Sequence, residues 1–162
     1  MFPDSVMLLA KVLLSQASEA KLAIAFAESC TGGLIAAAMT ELDGASAVVD
    51  RGFVVYTNLA KTKMLGVSSD MIEQYGAVSE DVARAMAEGA LKNSCAQLAI
   101  STTGIAGPTG GTPAKPIGLV HFAAAREGHT TLHLECRFGD IGRAEIRMRS
   151  VEAALKLLLQ II

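Results

Sequence analysis

The chain has 162 residues, 51% of them apolar, which is enough to close a real core and too hydrophobic for a disordered segment. Its formal net charge is −2, with no basic run, no Trp, two Tyr and five Phe, so neither a nucleic-acid polymer nor an anionic membrane surface is expected as a partner. Cys30, Cys95 and Cys136 are odd in number and widely spaced, and fit neither a disulfide framework nor a Cys-x-x-Cys metal knuckle.

The start, Met1-Phe2-Pro3-Asp4-Ser5, has no basic region ahead of an apolar stretch, and no uncharged run is long enough to span a bilayer; a cytoplasmic location is expected. From Asp4 to Ala20 the apolar residues Val6, Leu9, Ala10, Leu13 and Leu14 recur at helical spacing. The continuous apolar run Leu22 to Ala27 predicts a buried strand. It breaks at Glu28-Ser29-Cys30-Thr31-Gly32-Gly33, and a helical pattern resumes from Leu34 to Leu42. Val48 to Tyr56 reads as a second strand, followed by a short helix capped by Asn58 and carrying Lys61 and Lys63. Ser68 or Ser69 starts another helix. Ser79 caps the clearest one, with Glu80 and Asp81 in its first turn and Val82, Ala85, Met86 and Ala90 on one face.

Gln97 to Thr103 predicts a third strand, running into a Gly/Pro-rich loop that ends near Pro113. Ile117 to Arg126 and Thr130 to Phe138, joined at Glu127-Gly128, have a hairpin pattern, and Arg143 to Ile162 reads as a long closing helix. Helices before, between and after about five strands predict an α/β fold. Its form is a three-layer α/β/α sandwich on a mixed, mainly five-stranded sheet, with residues 1–162 as a single domain. His121, His129 and His133 lie close together in sequence, and His129 and His133, four apart in a predicted strand, share a face. Ordinary core or surface histidines account for them more readily than a metal site, and no metal is expected.

Three strand-end segments could carry chemistry, because ligands of α/β sheets bind there. In Ser29-Cys30-Thr31-Gly32-Gly33, glycines at a helix start let a ligand approach free backbone N–H groups, while Ser29 or Thr31 could equally be a plain N-cap. Cys30 is a second candidate nucleophile in the same turn, but it has no nearby histidine in sequence, and a small buried cysteine is the commoner case. In Tyr56-Thr57-Asn58-Leu59-Ala60-Lys61, a lysine in the first helical turn is electrostatically unfavourable, and burial would depress its pKa further, as a general base requires. An ordinary solvated lysine is the alternative, with Lys63 as the internal control. The loop from Gly104 to Gly111 is not a Walker A sequence, and reads either as a backbone anion nest or as a surface connection.

Taken together, Ala27-Glu28-Ser29-Cys30-Thr31-Gly32-Gly33, Tyr56-Thr57-Asn58-Leu59-Ala60-Lys61 and Gly76-Ala77-Val78-Ser79-Glu80 closely resemble the CinA C-terminal domain family, the nicotinamide-nucleotide amidohydrolases. Thr103-Gly104-Ile105-Ala106-Gly107-Pro108, Gly110-Gly111-Thr112 and Lys115-Pro116-Ile117-Gly118 continue the resemblance in order along the chain. It implies a nicotinamide mononucleotide deamidase: metal-independent hydrolysis of the carboxamide to nicotinate mononucleotide and ammonia, in pyridine-nucleotide salvage, with no cofactor. By position, Ser29 would be the nucleophile, Lys61 its general base and Tyr56 a supporting hydroxyl. Cys30, Thr31, Gly32 and Gly33 would line the substrate, with N–H groups near Thr31 and Gly32 as oxyanion donors. Thr103, Gly104, Ala106, Gly107, Gly110 and Gly111 are candidates for the phosphate and ribose, with Arg143 and Arg147 as charge partners. Ser46 joins them if the Gly44-Ala45-Ser46 turn folds over the site. A homodimer built on the alanine-rich and closing helices is expected. Many members carry this domain behind a larger one, whose activity is not expected of these residues. Two other readings compete: a non-catalytic nucleotide-binding or regulatory module, and a cysteine enzyme using Cys30.

Overall fold

The computed structural model describes residues 2–162. Pro3 opens helix α1 (Asp4–Ala20), its carbonyl accepting from the Val6 and Met7 N–H groups, and Lys21 in the left-handed conformation closes it. Val6, Ala10, Leu13 and Ala17 form its buried face. Strand β1 (Ile24–Glu28) is buried along its whole length, as expected of a strand with helices on both sides. Next come α2 (Leu34–Thr40), a short 3-10 turn (Ala45–Ala47), β2 (Val49–Val54), α3 (Asn58–Leu65), α4 (Ser69–Tyr75) and α5 (Glu80–Lys92). The chain ends with β3 (Leu98–Gly104), β4 (Leu119–Arg126), β5 (Leu132–Arg137) and α6 (Arg143–Leu158).

The sheet order is β2-β1-β3-β4-β5. β1 pairs parallel with β2 and β3, and β3, β4 and β5 pair antiparallel. The predicted three-layer α/β/α arrangement with a mixed five-stranded sheet is therefore the observed one. Alternation along the strands sorts the two cores. Ile24 and Phe26 of β1, Leu98 and Ile100 of β3 and Phe122 of β4 face α1, α2 and α6. Ala25, Ala27 and Ala99 face α3, α4 and α5, and Ala123 and Ala125 meet Ala83 and Ala87 of α5. Small side chains on that face let α5 lie close to the sheet.

Several predicted boundaries move. Thr57, not Asn58, caps α3, its side chain accepting from the Ala60 N–H. Ser68 caps α4 and Ser79 caps α5. Helix α6 stops at Leu158 although the apolar pattern continues. Leu159, Ile161 and Ile162 pack on the core outside the helix, and the Ile161 carbonyl accepts from Arg126 at 2.7 Å. His129 lies outside β5, so the histidines that meet are His121 and His133, across the β4–β5 hairpin. Among the described residues, no helix is long and apolar enough to cross a membrane.

Candidate active site

The three parallel strands end together, which brings Ser29, Val55 and Gly104 to one edge of the sheet. A buried residue absent from the predicted site organises this edge. The Glu28 carboxylate is 1% exposed and accepts from the Gly33 N–H at 3.0 Å, the Ile35 N–H at 3.1 Å and the Ala36 N–H at 2.9 Å. These are orphan donors of the first turn of α2, and a negative charge is favourable there. The N-terminus of α2 is thus filled from within, which corrects the expectation of an open anion site. Neither Ser29 nor Thr31 is its cap; Gly33 occupies that position with φ 97°, and Gly32 has φ 62°, conformations suited to glycine.

The turn residues divide. Ser29 and Cys30 line a cavity of about 210 Å³. Thr31 does not present its hydroxyl there, because Thr31 Oγ1 and Thr102 Oγ1 form a buried pair at 2.8 Å. The Gly32 N–H closes onto the Ser29 carbonyl at 3.1 Å, and the Gly33 N–H is held by Glu28. Gly32 and Gly33 are therefore removed as N–H donors to a ligand. Arg147, read as a charge partner, instead donates to the Cys30 carbonyl at 3.1 Å and the Thr31 carbonyl at 3.0 Å.

Lys61 reaches into the same cavity from α3 and is 1% exposed. Its Nζ lies 3.0 Å from Ser29 Oγ, 2.8 Å from the Val55 carbonyl oxygen and 3.3 Å from that of Tyr56. No carboxylate pairs with it among the described residues. Burial pushes its pKa below the ordinary lysine value, against a smaller opposing effect of Cys30. A neutral amine has two N–H bonds and one lone pair. With both N–H groups directed at the carbonyls, the lone pair is left for the Ser29 hydroxyl proton. The same burial pushes the Cys30 thiol up to about 12, which keeps it protonated and a poor nucleophile. Among the described residues, no histidine lines the cavity.

Tyr56 also lines the cavity but is 58% exposed, and its hydroxyl accepts from Arg143 Nη2 at 3.1 Å. Arg143 also donates to the Gly107 carbonyl at 2.8 Å. Thr103, Gly104 and Ala106 line the wall, but the Thr103 hydroxyl is committed to the Ala77 carbonyl at 2.7 Å. Gly104 also serves the sheet, since a Cβ there would stand 2.7 Å from Val120 Cγ2. Gly110 and Gly111 lie outside this wall. Gly111 borders a separate cleft with Pro116 and Asp140. Ser46 precedes β2 and so lies at the opposite end of the sheet from Ser29, where it cannot fold over the site. Asn58, Ala77 and Val78 also line the cavity. The matching Gly76-Ala77-Val78-Ser79-Glu80 block was the one signal for the last two.

His121 and His133 form a separate cluster across the β4–β5 hairpin, outside the cavity lining. His121 Nδ1 and His133 Nε2 are 2.9 Å apart, with the rings stacked. Among the described residues, no group of three or more His, Cys, Asp or Glu side chains is placed to share a metal ion.

Residues 7–162 match the family model described as CinA C-terminal domain. The crystal structure of competence/damage inducible protein CihA from Agrobacterium tumefaciens superposes with a TM-score of 0.98 at 51% identity, covering 99% of this chain and 97% of that one. A competence-damaged protein (CinA) superfamily protein from Escherichia coli matches with a TM-score of 0.92 at 34% identity, over 100% of this chain and 94% of that one. A CinA-like protein from Syntrophus aciditrophicus is 48% identical over 143 residues, 87% of this chain and 33% of that protein. The chain spans about a third of the length of the curated relatives it matches.

Proposed function

Because the chain belongs to the CinA C-terminal domain family, we propose that it hydrolyses the carboxamide of nicotinamide mononucleotide to nicotinate mononucleotide and ammonia. The observation that carries this reading is the 3.0 Å approach of Lys61 Nζ to Ser29 Oγ in a buried setting that favours the neutral amine. A serine hydroxyl is a weak nucleophile until a base takes its proton, and a lysine of depressed pKa can be that base.

The step balances with these two side chains. Lys61 takes the Ser29 proton as the bond from Oγ to the carboxamide carbon forms. It then hands a proton to the amide nitrogen as the C–N bond breaks and ammonia leaves. Water attacks the resulting ester and gives a proton to Lys61; the C–Oγ bond breaks and Oγ is reprotonated. The oxygen of each tetrahedral intermediate needs N–H donors. That of Cys30 supports this role, since Cys30 lines the cavity and its N–H has no acceptor among the described residues. The cavity of about 210 Å³ suits the pyridine ring and its carboxamide, and leaves the ribose and phosphate at the mouth. Arg143 stands there without an ion-pair partner among the described residues, and is our choice for the phosphate.

The test is ammonia release from nicotinamide mononucleotide, nicotinamide riboside and nicotinamide, with wild type beside Ser29→Ala. The reading expects turnover of the mononucleotide above all and its loss in the variant. Binding without turnover by wild type would instead indicate a non-catalytic nucleotide-binding module.

A further inference from the structure

The Ser29–Gly33 turn is gripped from two sides. Glu28 takes the N–H groups at the start of α2, and Arg147, in the second turn of α6, takes the carbonyls. Arg147 lies outside the cavity lining, so it reaches the chemistry only through what it holds. A guanidinium offers its donors in a rigid fork, and here Nε and Nη2 hold two successive carbonyls, those of Cys30 and Thr31.

Peptide planarity carries the consequence. In a trans peptide the carbonyl and the following N–H point in opposite directions. A Cys30 carbonyl drawn toward Arg147 directs the Thr31 N–H away from α6. A Thr31 carbonyl drawn the same way directs the Gly32 N–H back, where it meets the Ser29 carbonyl at 3.1 Å. That contact fixes the Ser29–Cys30 peptide in turn, and so the direction of the Cys30 N–H. Gly32 must be glycine for the fork to fit, since its φ is 62° and a Cβ would stand 3.3 Å from Arg147 Nη2. The result is a Cys30 N–H on the cavity wall with no acceptor among the described residues, although Cys30 is only 5% exposed; the Thr31 N–H is also unpaired but lies outside the wall and is 0% exposed. Buried donors left unpaired are costly, and such groups in native proteins call for an explanation.

Resting on the amide-hydrolysis reading above, we propose that Arg147 is a positioning residue for oxyanion stabilisation. Its forked hold on the Cys30 and Thr31 carbonyls fixes the turn so that the Cys30 N–H is aimed at the carboxamide oxygen as Ser29 attacks. A lysine at this position is a point charge on a flexible stem and cannot hold both carbonyls in one plane.

The experiment uses the full chain with Arg147→Met and Arg147→Lys beside wild type, each checked for folding by circular dichroism. For ammonia release from nicotinamide mononucleotide, kcat is expected to fall about 100-fold in both variants, the scale of losing one oxyanion donor. KM should stay within about threefold and the acid limb of the pH profile should not move, because Lys61 is untouched. Wild-type kcat in folded Arg147→Lys, or a loss confined to KM, overturns the proposal. A second arm does not depend on turnover. Pyridine-3-boronic acid, which forms a tetrahedral adduct on an activated serine, is titrated into 15N-labelled protein. A shift of the Cys30 amide signal in wild type that vanishes in Arg147→Lys supports the proposal; the same shift in both proteins, or none in wild type, overturns it. Wild-type inactivity on every amide, with the amide shift behaving as expected, counts against the hydrolysis reading alone.

Discussion

Lys61 Nζ stands 3.0 Å from Ser29 Oγ although 32 residues separate the two in sequence; both are buried, Ser29 just past β1 and Lys61 in the first turn of α3. If this contact is a base on its nucleophile, charge alone cannot replace it. Lys61→Arg keeps a cation but cannot give up its proton, so ammonia release should fall by about 10³-fold or more, like that of Ser29→Ala. Lys63→Ala, on the exposed side of α3, should stay within about twofold of wild type. A Lys61→Arg enzyme with near-wild-type turnover would remove Lys61 as the base.

The depressed Lys61 pKa sets the direction of two pH profiles. Activity should rise with pH through a lysine pKa lying below the ordinary 10.5. Stability should follow the same sign. Between the lowered folded value and 10.5 the unfolded chain binds the proton that the folded chain does not, so this residue's contribution grows as pH rises and is lost as pH falls. Urea unfolding of wild type and Lys61→Met from pH 7 to 10 should show a steeper rise in wild type. Parallel curves would contradict the burial account.

The Thr31–Thr102 pair joins the candidate turn to β3 from 71 residues away. Thr31→Val alone leaves the Thr102 hydroxyl buried without its partner and should cost about 1–2 kcal/mol. The double variant with Thr102→Val should cost clearly less than the sum of the singles, because no orphaned hydroxyl remains. Denaturant titration of the four proteins measures this, and simple additivity would show that the pair is not coupled.

Burial pushes both His121 and His133 below their ordinary 6.5, and His133, 2.9 Å away, lowers His121 further. As pH falls through 6.5 the unfolded chain takes protons that the folded pair resists, so stability is full above that point and declines below it. His121→Gln removes one of these groups and should flatten the decline between about pH 6.5 and 5, as read by urea unfolding. An unchanged slope would place the acid sensitivity elsewhere.

Much of the fold was legible because periodicity and breakers coincide. The apolar run of β1 stops at a charged residue and two glycines, and Ser79 with Glu80 and Asp81 marks the start of α5 without ambiguity. The candidate site was legible at Ser29 and Lys61, which carry their chemistry in their residue types. It was not legible at Glu28, whose role depends on its carboxylate folding over the helix that follows, nor at Arg147, which meets the turn from 117 residues away. Ser46 misled for a related reason: a Gly-rich turn looks alike at either end of a strand, and only the strand's direction shows which end carries the site. The end of α6 escaped because Leu159, Ile161 and Ile162 keep an apolar pattern for tertiary contacts rather than for helix.

The account rests on Ser29 becoming acylated, and the most direct measurement is acid quench of the enzyme turning over nicotinamide mononucleotide, followed by proteolysis and mass mapping. The expected result is a nicotinate mononucleotide ester, formed with loss of ammonia, on Ser29 itself, absent from Ser29→Ala and from Lys61→Arg. An acyl group mapped to Cys30, or full turnover in Ser29→Ala, would contradict it.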